Sequence, residues 1–107
     1  MNKADKALQT KIMADARSGH NCIRCKVQDG TVCGRHYNGQ RQHSYGKGRG
    51  IKCHPFLVAD FCNKCDREFI EGAVPKHDYE LRTQRSEEFQ HWCLMTLIRR
   101  QENGVIG

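Results

Sequence analysis

Cys22-Ile23-Arg24-Cys25 and Cys62-Asn63-Lys64-Cys65 are the two short stretches on which the fold turns. Each is a CxxC hook that can offer two thiolates to one tetrahedral ion, and four thiolates make the closed donor set of a structural zinc site. Residues 26–61, between the hooks, would then be a loop tied at both ends by metal. That loop carries six cations, Lys26, Arg35, Arg41, Lys47, Arg49 and Lys52, against two acids, Asp29 and Asp60. Three of the six histidines and six of the ten glycines lie there too. Much of the chain's net charge of +6 is thereby focused on one segment, which suits a polyanionic partner such as DNA.

By its composition the chain would benefit from a staple, either metal or disulfide. With 107 residues, 37% of them hydrophobic and 7% aromatic, the chain is a single domain over 1–107 whose core is small. Seven cysteines is an odd number, and the start Asn2-Lys3-Ala4-Asp5-Lys6 is charged where a signal peptide would be apolar. Both features favour reduced, metal-binding thiols and a cytoplasmic setting over a disulfide framework. No run approaches the ~20 apolar residues of a membrane span, so no membrane association is expected. A second metal arrangement is open at this point. Cys33-Gly34-Arg35-His36 is a CxxH hook, so Cys22, Cys25, Cys33 and His36 could close one zinc, with Cys53, His54, Cys62 and Cys65 closing another.

Around the hooks the periodicity is helical. Ala4, Ala7, Leu8, Lys11, Ile12, Asp15 and Ala16 recur at helical spacing and predict an N-terminal helix over 3–18, stopped at Gly19. Gln28-Asp29-Gly30 predicts a turn between Val27 and Thr31-Val32-Cys33, hence a short hairpin. Phe56-Leu57-Val58-Ala59 is an apolar segment entering the second hook, and residues 66–72 read as a short helix leaving it. After a linker over 75–83, Ser86 is placed as the N-cap of a C-terminal helix over 84–102. Its apolar stripe runs through Phe89, Trp92, Cys93, Thr96 and Leu97, widened by Met95 and Ile98, with Arg99 and Arg100 in the last turn.

The order of these parts resembles zinc-stapled HNH nucleases of the ββα-metal class, and more closely the small phage- and prophage-encoded nucleases of the YbcO type. The resemblance runs from Ala16-Arg17-Ser18-Gly19 through the first CxxC, the central His36, the Gly-rich segment with Lys52, and an apolar run. It continues through the second CxxC to a terminal helix ending near Glu102-Asn103-Gly104-Val105-Ile106. It implies a small α+β zinc-stabilised domain, with a ββα-metal (HNH-like) core over 20–72 flanked by N- and C-terminal helices. It also implies a metal-dependent DNA endonuclease acting in recombination or DNA processing, with a phage or host recombination or replication protein as a partner.

Carried over by motif, His36 matches the general base that deprotonates water. Asp66 stands where such enzymes place a final histidine and could ligate a catalytic Mg²⁺ or Mn²⁺. Structural zinc would be held by Cys22, Cys25, Cys62 and Cys65. Asn38 and His54 are candidates for orienting the base, and Glu68, Glu71 and His77 for completing the metal shell. One departure bears on the chemistry: the residue before the base, commonly an acidic ligand, is Arg35, which cannot bind a cation. For DNA contact the expected residues are Arg35, Arg41, His43, Lys47, Arg49 and Lys52, with Tyr37 and Tyr45 available for stacking on bases. No recognition helix with a base-reading stripe is visible, so binding should be largely independent of sequence. The other function consistent with these residues is a zinc-stabilised module that binds DNA or a protein without cutting.

Overall fold

A computed structural model describes residues 3–45, 53–70 and 72–106. The centre of the molecule is the strand β2 (Val58–Phe61), whose four residues are all buried. It pairs antiparallel with β1 (Cys33–His36), aligning Cys33 with Phe61, Gly34 with Asp60, Arg35 with Ala59 and His36 with Val58. Side chains alternate between the two faces of a strand, and directly opposed residues share a face. One face therefore carries Gly34, His36, Val58 and Asp60, the other Cys33, Arg35, Ala59 and Phe61.

Helix α1 (Lys3–Ala16) covers the first face. Gly34 permits the approach: a Cβ there would lie 2.7 Å from Val58 Cγ1, 2.9 Å from Met13 Sδ and 3.3 Å from Ala16 Cβ. The second face is covered by α2 (Asn63–Phe69) and the first half of α3 (Tyr79–Glu102). There Phe61 stacks on Phe69 with ring centroids 5.1 Å apart, and Phe89 closes against both at 5.4 and 5.3 Å. Among the described residues the result is a small α+β structure in which a two-stranded sheet is enclosed by three α-helices.

Three expectations about elements need correction. The hairpin between Val27 and 31–33 does not form. Asp29 accepts from the Thr31 N–H and hydroxyl and Gly30 adopts φ +82°, so the turn exists, but β1 begins at Cys33 and finds its partner in β2. The C-terminal helix begins at Tyr79, not 84, because Asp78 caps it by accepting from the Leu81 N–H at 3.0 Å. Ser86 is then buried in the helix interior, where its Oγ accepts from the Gln40 N–H (2.9 Å) and lies 2.5 Å from Tyr37 Oη. The apolar stripe of α3 is also narrower than its sequence implies. Phe89, Cys93, Thr96 and Arg100 are buried, whereas Met95 and Ile98 are exposed.

The buried arginine is part of a lock that joins three elements. Asp60, with no accessible surface, accepts from Arg100 Nη2 and from Arg99 Nη2, the latter at 3.1 Å. Arg99 reaches on to Asn21 at 2.9 Å, and Arg100 Nε lies 3.3 Å from Asp15 at the end of α1. The helix of the described residues that is longest, α3, is not long and apolar enough to cross a membrane, nor is any other.

Candidate metal centre

The two hooks converge. The sulfurs of Cys22, Cys25, Cys62 and Cys65 all lie within 4.8 Å of one another, the only such group of potential ligands among the described residues. Cys25 Sγ and Cys62 Sγ are 3.7 Å apart and all seven cysteines are free thiols. Zinc–sulfur bonds of about 2.3 Å put tetrahedral ligands roughly 3.8 Å apart, so this spacing fits one ion and is far too long for a disulfide. Local backbone explains the convergence. In the first hook the chain reverses tightly, with the Lys26 N–H on the Cys22 carbonyl at 2.9 Å and the Cys22 N–H on the Val27 carbonyl at 2.8 Å. Lys26 takes φ +69° to achieve this, a conformation costly for a residue with a Cβ. In the second hook Cys62 is the N-cap of α2, its sulfur accepting from the Cys65 N–H at 3.5 Å.

The surroundings treat the clustered thiols differently. Burial pushes the Cys22 thiol up, but the N–H groups of Cys25, Cys62 and Arg24 aimed at its sulfur outweigh burial and bring it down to about 7. Burial pushes Cys62 and Cys65 up, and for Cys65 the Arg24 guanidinium beside it offsets only part of that rise. Thiols so enclosed give up their protons readily only when a metal replaces them. Arg24 is itself fixed, donating through Nε to Glu88 at 2.7 Å and through Nη1 to Glu68, with its guanidinium 5.1 Å from the Phe69 ring centre. Four cysteines so close together suggest a structural metal site such as zinc uses, with Arg24 as a neighbouring countercharge to the thiolates.

The remaining expected site residues are scattered. His36 and Asp66 are not brought together. The His36 ring faces α1, with Nε2 3.3 Å from Gln9 Oε1, whereas Asp66 lies on the opposite face of the ribbon. Asp66 is occupied by Arg35, whose Nη1 is 3.6 Å from Asp66 Oδ2 and whose Nη2 donates to Asn63 Oδ1 at 3.0 Å. His54 is likewise on the α1 side, its Nε2 4.0 Å from Asp5 Oδ1. Glu68 is engaged by Arg24, and His77 is exposed. The two-zinc arrangement is not what forms: Cys53 is buried, donating to the Tyr37 carbonyl at 3.0 Å, far from a role beside Cys62 and Cys65. Tyr37, expected to stack on bases, is 1% exposed and packs edge-on against Phe89. Arg41 and His43 are exposed beside it, while Lys47, Arg49, Lys52 and Glu71 lie outside the described residues.

A sizeable concavity lies beyond the end of α2. A cleft of about 450 Å³ opens between residues 38–43, the end of α2, residues 72–76 and the first half of α3. Among its lining residues, Lys76, Arg82 and Arg85 were not anticipated from sequence. Their signal was weak because they are spread along a segment that reads as linker and helix surface. Compared with family models, curated proteins and solved structures, the chain matches none.

Proposed function

We propose that this chain is a zinc-stapled module that grips the nucleic-acid backbone without cutting it. The observation that carries this reading is the Arg35–Asp66 pair. A guanidinium already lies against the carboxylate that would have to hold a catalytic ion, and the candidate base His36 projects from the other face of the ribbon. Without a divalent ion on Asp66, a hydrolase of the ββα-metal kind has nothing to stabilise the pentavalent phosphorus or the leaving oxygen. What remains is a basic surface on a metal-tied scaffold. Arg41, His43, Lys64 and Arg67 are exposed, and a net charge of +6 favours a polyphosphate.

The second reading is the metal-dependent endonuclease of phage or prophage origin, in recombination or DNA processing. It is supported by the succession of β1 ending in His36, β2, and α2 opening with the second hook and Asp66, which is the order the resemblance implies. Its support also includes the length of the Arg35–Asp66 contact, 3.6 Å, longer than a direct hydrogen bond and so open to displacement by Mg²⁺ or Mn²⁺.

A single purified series separates the two. If four to six cations contact phosphates, the wild type should bind duplex DNA with a log–log salt slope of about −4 to −5. It should leave supercoiled plasmid intact in Mg²⁺ and in Mn²⁺. Metal-dependent nicking that falls by roughly 10²-fold in His36→Ala would establish the endonuclease instead, that being the usual worth of a positioned general base. A slope near −1 would remove the nucleic-acid reading altogether.

A further inference from the structure

The cleft between the loop 38–43 and α3 is not used by the metal centre, yet it is well built. Its loop wall is fastened to α3 by a closed set of bonds. Tyr37 Oη and Ser86 Oγ lie 2.5 Å apart, Ser86 Oγ accepts from the Gln40 N–H at 2.9 Å, and Tyr37 Oη accepts from the Arg41 N–H at 3.0 Å. Gly39 sits so close that a Cβ would fall 2.3 Å from Tyr37 Oη and 2.5 Å from Ser86 Oγ. Such a wall is pre-organised: a ligand entering the cleft does not have to order it.

The chemistry of the lining points to one kind of ligand. Asn38 and Gln42 are half-buried there, and their side-chain amides make no hydrogen bond among the described residues. Side-chain amides, each with two donors and an acceptor, match the edges of nucleobases. Lys76, Arg82 and Arg85 line the same cleft, with Arg82 Nη1 donating to the Lys76 carbonyl at 3.3 Å. Arg85 is ion-paired with Glu68 at 3.8 Å and Glu88 at 3.6 Å, both too long for direct hydrogen bonds, so it can turn a donor to a phosphate only by sharing it with these acids. Glu68, the acid in the lining, is already bound by Arg24. A volume of about 450 Å³ falls within the roughly 300–1,000 Å³ of small-molecule pockets, too small for a duplex and ample for one nucleotide.

We propose that this cleft receives one unpaired nucleotide of a DNA strand, its phosphate against Lys76, Arg82 and Arg85 and its base against the amides of Asn38 and Gln42. The inference rests on the nucleic-acid reading and sharpens it: the preferred substrate would be single-stranded DNA or a duplex with an unpaired end, as base edges are reachable only outside the stack.

The test compares a fluorescent single-stranded oligonucleotide with its blunt duplex, for the wild type and for the double variant Lys76→Gln/Arg82→Gln. Lys76 is exposed and Arg82 half-buried, donating to the Lys76 carbonyl at 3.3 Å, so zinc content should be unchanged and the melting temperature should shift little. Single-strand affinity should fall about tenfold or more and the single-strand salt slope should flatten by about 1.4, two phosphate contacts at ~0.7 each. Duplex binding should change much less. In ¹⁵N spectra the side-chain amide signals of Asn38 and Gln42 should move when unlabelled single strand is added, and should stay in place with blunt duplex. If the variant loses single-strand and duplex binding equally, or the amide signals do not respond to single strand, the cleft holds no nucleotide and the proposal is overturned while general DNA binding stands. If the wild type binds neither form, the nucleic-acid reading itself fails.

Discussion

At the scale of single residues the seven cysteines divide by what surrounds their sulfurs. Cys62 does two jobs, contributing one of the four clustered thiols and capping α2. Because binding a structural zinc is coupled to folding and contributes ~10 kcal/mol or more, Cys62→Ser should release the metal and unfold the region around both hooks, read as lost zinc and a lost cooperative melt. Cys93 has no accessible surface and its thiol is pushed up by burial, the mark of a small apolar filler. Cys93→Ser should keep the zinc and lower stability by about 1–3 kcal/mol, the cost of burying an unpaired hydroxyl. Glu88 makes a pH-dependent contribution. Burial pushes its carboxyl up, but the bonds from Trp92 (3.0 Å) and Arg24 (2.7 Å) outweigh this and hold it below its ordinary 4.5. A depressed folded-state value stabilises the fold above pH 4.5, and that share is lost as pH falls through the lower value. The stability difference between wild type and Glu88→Gln should therefore be largest near neutrality and shrink below pH 4.5, followed by urea denaturation at each pH.

At the scale of elements, α3 is held to the sheet less by its apolar stripe than by Asp60. Two arginines one residue apart project to the same buried carboxylate, one also reaching Asn21 and the other Asp15, so β2, α1 and the segment before the first hook meet at the last turns of α3. Removing Asp60 leaves Arg100, 2% exposed, without its main partner. Asp60→Ala should cost about 3–5 kcal/mol in a denaturant titration, in the range for breaking one half of a buried pair. Gly34→Ala should act on the same face of the ribbon, directly across the strands from Asp60. Its Cβ meets Val58 and Met13 below 3.0 Å, so α1 must move outward, at about 1–3 kcal/mol, with zinc retained.

At the scale of the whole molecule, the four-cysteine cluster and the core are one structure. Cys22, Cys62 and Cys65 belong to the same buried cluster as Val32, Phe61, Phe69 and Phe89. Chelating the metal should therefore disorder the packing of β2 and α2 and lose near-ultraviolet dichroism from the aromatic cluster, while α3, long and capped at Asp78, keeps part of its far-ultraviolet signal. Recovery of the aromatic signal on adding back zinc, and not on adding Mg²⁺, would show that the metal acts through folding; an unchanged aromatic signal after complete zinc removal would separate metal from core.

What the chain's local chemistry determined was legible without coordinates. CxxC spacing dictates a thiolate hook, because two cysteines three apart can face one ion, and both hooks join in a single cluster. Asp29-Gly30 turns, residues 3–16 are helical and Asn103-Gly104 ends the last helix, since turns and caps depend on near neighbours. Tertiary structure decided the rest. Nothing within a few residues of Cys33 reveals that its strand pairs with 58–61, because pairing depends on which distant segment the cysteine cluster and core bring alongside. Arg35 reads as a phosphate contact until the fold sets it against Asp66, and Arg99 and Arg100 read as helix-end charges until Asp60 is buried beneath them. In each case the side chain's partner lies far along the sequence, and only the packed chain sets the distance and burial that decide its role.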